Sequence, residues 1–285
     1  MTEPTLLRLD GLFPRWMRWG FTTRHGGVST GPYESLNLGW DVGDDPDSVR
    51  ENHRRLGDTL GYDAETLATV RQVHGHRFHV VRRAADGRTL RGRQGDGILL
   101  SLQPAVRDPW PEMKDEERRT RSARPTEPQA PSAALVRVAD CCPVIIAALE
   151  HRAAAVLHCG WRSTVRGLVA RTVGLLIREI AEPQPALAAA IGPCIGPEAF
   201  EVGEEVAAAF AEKVSLDVVL RRPGRRKPHI DLQAAVRLLL IRAGIPDDRI
   251  VTFRRCTVSE PADFFSFRRD GHDSGRQAGI VTLFP

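Results

Sequence analysis

Apolar residues recur at helical spacing in four stretches of the chain. The first stretch follows the pair Asp45-Pro46, which is typical of an N-cap and a first helical residue, and it ends at Gly61. Asp231 is placed to cap the last stretch in the same way. The pattern predicts helices over 46–60, 164–181, 204–213 and 232–243.

Short apolar runs between turn residues predict the strands. These runs lie at 78–82, 135–138, 144–149, 153–158, 186–191 and 250–254. Strands and helices are mixed along the chain without strict alternation, which favours the α+β class over a doubly wound sheet. We therefore expect a single α+β domain over residues 1–285, built on mixed sheets.

One segment differs from its surroundings. Residues 103–134 carry prolines and mixed charge but few large apolar side chains. Such a composition does not supply a packed core, so we interpret 103–134 as a surface insertion that carries no chemistry.

Composition and charge narrow the class of protein. Among 285 residues, 42% are hydrophobic and 27% are charged, which is ordinary for a globular domain. The 40 basic and 36 acidic residues give a net charge of +4, and the arginines are dispersed instead of forming one patch. We therefore expect no nucleic-acid partner.

No apolar run approaches the roughly 20 residues of a membrane span, so we expect no membrane partner either.

The five cysteines suit a reducing compartment. Their number is odd, and no secretory signal is recognisable at the N-terminus, so a disulfide framework is not expected. We predict a cytoplasmic protein. No CxxC motif is present, so a metal site has to combine single cysteines with histidines.

Three residues of metal-binding type lie at strand ends or tight turns: His74, Cys141 and His158. Side chains at such places project into clefts. Two imidazoles and one thiolate leave a fourth position open, as in catalytic zinc sites, whereas structural zinc takes four protein ligands. The alternative is a core cysteine and two histidines with ordinary hydrogen bonds, and spacing alone does not decide between them.

Six sequence blocks strengthen the metal hypothesis. They occur in the order TTRHGGVSTGPYESLNLGWDVGDDPDSVRENHRRL, RQVHG, VRVADCCPV, AVLHCGWRSTVRG, AAIGPCIGPEAFEVGEEV and FFSFRRDGHDSGRQAG. Over about residues 12–285 the chain thereby resembles the YfiH-like family of purine nucleoside phosphorylases and adenosine deaminases, formerly described as multicopper polyphenol oxidoreductases (laccases). The resemblance implies a four-layer α/β/β/α arrangement, one zinc ion held by His74, Cys141 and His158, and catalysis that depends on these three residues.

The chain departs from the family pattern next to the implied ligands. Cys142, Cys159 and Ser163 replace the usual Leu, Ala and Gly, and the connection before the ADC block is longer. None of these changes removes a ligand. Because strand residues alternate in direction, Cys142 should point away from Cys141, and we interpret Cys142 and Cys159 as small core residues.

Residues of the glycine-rich segment 19–45, together with Arg71, are candidates for substrate contacts. Arg24 and Arg71 are predicted to neutralise a phosphate, and His25 and Asn37 to contact the substrate, although surface ion pairs and loop hydrogen bonds are competing interpretations. The glycines of RHGGVSTG suit a turn whose N–H groups converge on an anion. Asp96 and Asp140 are candidates for orienting ligands or substrate, with a buried hydrogen-bonding role as the alternative.

The resemblance implies zinc-dependent phosphorolysis of adenosine, inosine and related nucleosides, together with adenosine deamination. The expected partners are a small nucleoside and phosphate, and the oligomeric state stays open. Copper-dependent phenol oxidation suits the chain poorly, because it needs about ten paired histidines and nine are present. The remaining alternatives are a metal-free Cys141–His158 hydrolase acting on a cell-wall precursor and a zinc-stabilised binding module.

Overall fold

The computed structural model describes residues 3–102 and 130–285. The strands are β1 (Leu6–Leu7), β2 (Met17–Thr22), β3 (Phe78–Val81), β4 (Gly97–Ser101), β5 (Ser132–Val138), β6 (Cys142–Ala148), β7 (Ala153–Cys159), β8 (Leu187–Ile191), β9 (Val219–Leu220), β10 (His229–Ile230), β11 (Ile250–Thr252) and β12 (Gln277–Leu283). The helices are α1 (Pro46–Leu60), α2 (Ala84–Gly87), α3 (Trp161–Val165), α4 (Leu168–Ile180), α5 (Glu204–Lys213), α6 (Leu232–Arg242) and α7 (Phe267–Asp270).

Two larger sheets organise the described residues. One has four strands in the order β1-β2-β12-β5, and the other has six in the order β11-β8-β6-β7-β4-β3. The larger sheet is mixed, because its outer pairs β11–β8 and β3–β4 are parallel while its inner pairs are antiparallel. The predicted α+β class with mixed sheets is confirmed.

Strand alternation decides which residues enter which core. In β4, Ile98 packs between the two sheets, whereas Leu99 packs on the opposite face against α4 and α6. In β5, Val136 faces the space between the sheets, whereas Leu135 packs against Leu56 of α1. Each sheet therefore packs residues of one face against the other sheet and residues of its opposite face against helices.

The predicted helices form, with one difference. The helix predicted over 164–181 is two helices, α3 and α4, because Gly167 adopts a left-handed conformation with a φ of 79° between them. Asp45 and Asp231 cap their helices as predicted, accepting hydrogen bonds from the backbone N–H groups of Ser48 and Ala234.

The predicted insertion at 103–134 falls mostly outside the described residues. Its last three residues, 132–134, differ from the prediction, because they begin β5 and are buried. They pair with the end of β12, so the regular structure resumes earlier than the sequence indicates. Among the described residues, no helix is long and apolar enough to cross a membrane.

Candidate metal centre

The two central strands of the larger sheet bring Cys141 and His158 together. Cys142 of β6 pairs with Cys159 of β7, and Pro143 pairs with His158. Cys141 lies one residue before β6 and is therefore opposite Gly160, one residue after β7. The antiparallel register thus places a thiol and an imidazole at the same end of the sheet.

Gly160 is the residue that leaves room for the site. A Cβ atom added there would lie 2.8 Å from Cδ2 of His74 and 3.0 Å from Sγ of Cys141. Both contacts are closer than ordinary van der Waals packing. Gly160 was not among the predicted site residues. The sequence does place it directly after a predicted strand and before Trp161, where a glycine can mark a close approach of other side chains.

His74 reaches the same place from the loop before β3. Its backbone has a φ of 55°, which is uncommon for a residue other than glycine. The potential ligand atoms of His74, Cys141 and His158 all lie within 4.8 Å of one another. The His74 and His158 rings meet edge to face with their centroids 4.8 Å apart. The structure thus brings together the three residues that the sequence predicted as ligands.

Asp96 holds two of these residues in position. Its Oδ1 lies 2.9 Å from Nδ1 of His158 and accepts the backbone N–H of His74 at 2.9 Å. Its Oδ2 accepts the N–H of Gly75 at 2.7 Å. Because Nδ1 of His158 faces this carboxylate, Nε2 is the nitrogen left for a metal, the arrangement usual for histidine ligands. Asp96 is therefore placed to orient the two candidate ligands, and it is also a buried hydrogen-bonding residue, so its contacts fit both interpretations of the sequence.

The charges of Cys141 and His158 depend on each other. Burial favours a neutral thiol, but the charge and hydrogen bond of His158, with a hydrogen bond from His74, lower the pKa of Cys141 to about 6. Burial also favours a neutral imidazole, but the charge of Cys141 and the hydrogen bond to Asp96 raise the pKa of His158 to about 9. Each group therefore favours the charged form of the other, and a metal would take the place of a proton between them.

Asp140, next to Cys141, shapes the backbone of the site. Its φ is 89°. Its carboxylate accepts hydrogen bonds from the hydroxyl of Thr257 and the backbone N–H of Arg268, each at 2.6 Å. Asp140 therefore ties the Cys141 turn to the start of α7, which agrees with the hydrogen-bonding interpretation of this residue.

The other two cysteines near the ligands lie in the core. Cys142 and Cys159 are fully buried in the cluster between the larger sheet and the helices. Burial, the largest effect on both, raises the pKa of each thiol, so both stay neutral at physiological pH. This placement matches their interpretation as small core residues.

The three candidate ligands line a cavity of about 500 Å³. Its wall carries five arginines, which are Arg71, Arg137, Arg162, Arg268 and Arg276. Two acidic residues, Asp41 and Asp140, also line it. The excess of guanidinium groups favours an anionic ligand.

Only some of these arginines keep their N–H groups available. Arg268 and Arg276 donate to backbone carbonyls, and Arg137 donates to the carbonyl of Val70 at 3.2 Å. Within residues 3–102 and 130–285, the side chains of Arg71 and Arg162 donate no hydrogen bond. Arg162 lies over the ring of Trp161, 4.3 Å from its centroid.

The predicted substrate contacts separate into two groups. Arg71 lines the cavity, whereas Arg24, His25 and Asn37 do not. Nη1 of Arg24 donates to the carbonyl of Pro261 at 2.9 Å, its Nε donates to the carbonyl of Glu34, and its guanidinium covers the ring of Phe265. Arg24 therefore lies outside the cavity wall, with Nε and Nη1 bonded to backbone carbonyls, and this placement does not support the predicted phosphate contact.

His25 and Asn37 have structural partners as well. Nε2 of His25 lies 2.9 Å from Oδ1 of Asp263. Asn37 is fully buried, and its Oδ1 accepts the backbone N–H groups of Gly39 and Arg276 at 2.9 and 2.8 Å. Neither side chain is placed to contact a substrate in the cavity, but Asn37 supports two residues that line it.

Comparison with known proteins gives consistent matches over nearly the whole chain. The model of the family described as multi-copper polyphenol oxidoreductase laccase matches residues 18–284. A purine nucleoside phosphorylase of Deinococcus radiodurans is 37% identical over 263 residues, covering 92% of this chain and 88% of that protein. Adenosine deaminase RL5, from an unknown prokaryotic organism, is 32% identical over 264 residues, covering 90% of both.

Solved structures are similar over the same length. YlmD from Geobacillus stearothermophilus has a TM-score of 0.77 at 29% identity and covers 99% of this chain and 100% of its own. The YfiH protein of Bacillus licheniformis has a TM-score of 0.78 at 27% identity and covers 97% of this chain and 98% of its own. The sequence matches and the structural matches therefore both cover nearly the whole chain.

Proposed function

The chain belongs to the YfiH-like family, described as multi-copper polyphenol oxidoreductase laccase, and we propose that it is a zinc-dependent purine nucleoside phosphorylase that also deaminates adenosine. The observation that carries this proposal is the convergence of His74, Cys141 and His158 in a cavity with excess positive charge. Relatives that match nearly the whole chain bear the names of both activities. We place the enzyme in the cytoplasm.

The donor set fits zinc. One thiolate and two imidazoles are nitrogen and sulfur ligands that zinc accepts, and three protein ligands leave a position open, as catalytic sites do. When bound, zinc supplies Lewis-acid chemistry, which suits both a departing purine and the activation of water. A blue-copper centre uses the same three donors, so metal quantification has to separate zinc from copper.

The residues of the chain have defined tasks in phosphorolysis. An oxygen of phosphate attacks C1′ of the ribose, the bond between C1′ and the purine nitrogen breaks, and the purine takes up a proton as it leaves. We assign Arg71 and Arg162 to hold the phosphate, because both line the cavity with free donors. Asp96 keeps Nδ1 of His158 hydrogen-bonded and the His74 turn in place. The proposed ligands are therefore already oriented before the metal and the substrate bind.

Deamination uses the same cavity with water in place of phosphate. Water adds at C6 of adenosine, ammonia departs and inosine remains. The two reactions therefore differ in the nucleophile and in the bond that breaks. We expect phosphate to shift the products from inosine towards free base and ribose 1-phosphate.

Metal quantification combined with product analysis tests the proposal. Purified protein is assayed for bound zinc and copper, and then incubated with adenosine or inosine, with and without phosphate. Cys141→Ala should still fold, because the large core does not depend on the metal. It should bind little zinc and show little turnover, because one ligand and the Lewis-acid chemistry are lost. Cys142→Ala is the matched control and should keep both.

Three outcomes would favour other functions. The opposite pattern in the two cysteine variants would show that Cys141 is not the ligand. Full turnover by metal-free protein would favour a Cys141–His158 dyad, and stoichiometric copper with oxidation of a phenol would favour the polyphenol oxidoreductase activity. Zinc binding without turnover of any nucleoside would indicate a binding module.

A further inference from the structure

Two large aromatic side chains are exposed in the wall of the cationic cavity. Trp40 is 42% exposed and Phe267 is 44% exposed, and both line the same cavity as the candidate ligands. Exposed aromatic rings lose the free energy that burial would provide, so a cluster of them at a cavity indicates an apolar ligand surface.

Trp40 is held in a fixed orientation from one side. Its ring stacks on the imidazole of His53, with centroids 5.2 Å apart and an angle of 4° between the planes. His53 is itself buried, and its Nε2 lies 3.1 Å from the carbonyl oxygen of Leu38. One face of the indole is therefore covered by a side chain that has its own anchor, and the opposite face is left for a ligand.

The backbone before Trp40 is fixed as well. Asn37 accepts the N–H of Gly39 at 2.9 Å and donates to the carbonyl of Gly39 at 3.2 Å. A Cβ atom on Gly39 would lie 2.7 Å from Cγ of Arg276, so glycine is needed for the approach of that arginine. The Cζ atom of Arg276 in turn lies 5.8 Å from the centroid of Phe267. Arg276 thus lies close both to the ring of Phe267 and to the backbone position directly before Trp40.

We propose that Trp40 is the stacking platform for the purine base of the substrate, with Phe267 as a second apolar contact. This inference rests on the proposed function, because it assigns a part of the same cavity to the base. Aromatic side chains bind the flat faces of purines by stacking, and a ring that is already fixed loses little conformational entropy on binding. The aromatic faces of Trp40 and Phe267 offer no donors to phosphate oxygens, whereas Arg71 and Arg162 do.

The loss of one stacked ring should weaken binding measurably. Stacking between a base and an aromatic side chain contributes roughly 1–3 kcal/mol, which corresponds to about a 5- to 150-fold change in affinity. Trp40→Ala should therefore raise KM for inosine and adenosine within this range, and leave kcat, zinc content and the KM for phosphate nearly unchanged. Trp40→Phe should restore most of the affinity. Leu216→Ala is the control, because Leu216 is 69% exposed and does not line the cavity.

Tryptophan fluorescence tests the contact without turnover. Hypoxanthine and adenine are titrated into zinc-loaded wild-type protein, into Trp40→Phe and into Trp161→Phe, which lacks the other tryptophan of the cavity wall. We expect the free bases to quench the wild type and Trp161→Phe, and the signal to be lost in Trp40→Phe. Quenching by base in a protein that does not turn over nucleosides would support the platform while the proposed function fails.

Three results would overturn the inference. An unchanged KM in Trp40→Ala, in a protein that carries out phosphorolysis, would remove the platform and leave the function intact. Quenching that survives in Trp40→Phe but is lost in Trp161→Phe would move the base to the other indole. Quenching by a simple phenol such as p-cresol, with none by either purine, would assign the aromatic surface to phenols.

Discussion

Replacement of Asp96 by Asn probes how the protein holds its ligands. Oδ1 of Asp96 contacts Nδ1 of His158 and the backbone N–H of His74, and Oδ2 accepts the backbone N–H of Gly75. When Nδ1 of His158 carries a proton, all three contacted groups are donors, so each needs an acceptor oxygen of Asp96. Asn supplies one acceptor oxygen and one NH₂ group, so one side of the carboxylate position becomes a donor that faces a donor.

The expected magnitude follows from these contacts. Partners of this kind typically contribute about 10- to 100-fold to metal affinity, or roughly 1.4–2.8 kcal/mol. We therefore expect Asp96→Asn to weaken zinc binding by about that factor, measured by competition with a chromophoric chelator. The backbone turn before β3 should loosen as well, because the Gly75 hydrogen bond is lost in one of the two amide orientations.

An isosteric substitution elsewhere controls for the loss of a charge. Asp63 is exposed, caps a short turn through the backbone N–H of Glu65 and lies outside the cavity wall. Asp63→Asn should bind zinc like the wild type. Wild-type zinc affinity in Asp96→Asn, with the fold intact by circular dichroism, would refute the conclusion that this carboxylate orients the ligands.

Three further predictions address the site and the fold. Gly160→Ala should lower zinc affinity without unfolding the protein, because the added Cβ meets His74 and Cys141; chelator competition and circular dichroism check this. Arg71→Ala should raise the KM for phosphate at least 10-fold, since a charge-assisted hydrogen bond contributes about 1.5–3 kcal/mol, whereas Arg24→Ala should not; equal KM changes would contradict the assignment. Burial lowers the pKa of His53 to about 4 in the folded protein. In the unfolded chain the pKa is near 6.5, so as the pH falls His53 is protonated in the unfolded chain at a higher pH than in the folded one. The contribution of His53 to the free energy of unfolding should therefore fall by about 2 kcal/mol between pH 7 and 4.5, and urea titrations of His53→Gln should show a smaller loss of stability than the wild type over this range.

The three candidate ligands could be picked out from the sequence because they combine metal-binding residue types with strand ends or tight turns. Cys141 and His158 flank adjacent runs of apolar residues, and an antiparallel turn brings such ends together. His74 was also a candidate from its position at a tight turn, but 67 positions separate it from Cys141, so only the resemblance implied that it joins the other two. The role of Asp96 was open from the sequence alone, because its hydrogen bonds to His158 and to the His74 turn depend on the fold.

The substrate contacts were less predictable for a physical reason. With 37 arginines in the chain, residue type alone does not show which guanidinium groups have free donors. Arg24 lies in a conspicuous glycine-rich segment, but backbone carbonyls distant in sequence occupy its donors. The exposure of Trp40 likewise depends on packing against His53, which a linear pattern does not reveal.

Strand pairing over long distances also escaped the sequence pattern. β12 lies between β2 and β5 and pairs with both. All its residues are buried, so it lacks the alternation of apolar and polar residues by which a strand is recognised in a sequence. The break between α3 and α4 was missed because apolar residues continue at helical spacing through Gly167. Both features depend on tertiary contacts more than on local preference.

The central claim is that zinc held by His74, Cys141 and His158 is required for phosphorolysis. The most direct measurement is a titration of metal-free protein with zinc, in which phosphate-dependent release of hypoxanthine from inosine is followed by chromatography. We predict no release at the start, a linear rise with added zinc and a plateau at one zinc ion per chain. Full release by the metal-free protein, or a rise with copper but not with zinc, would contradict the claim.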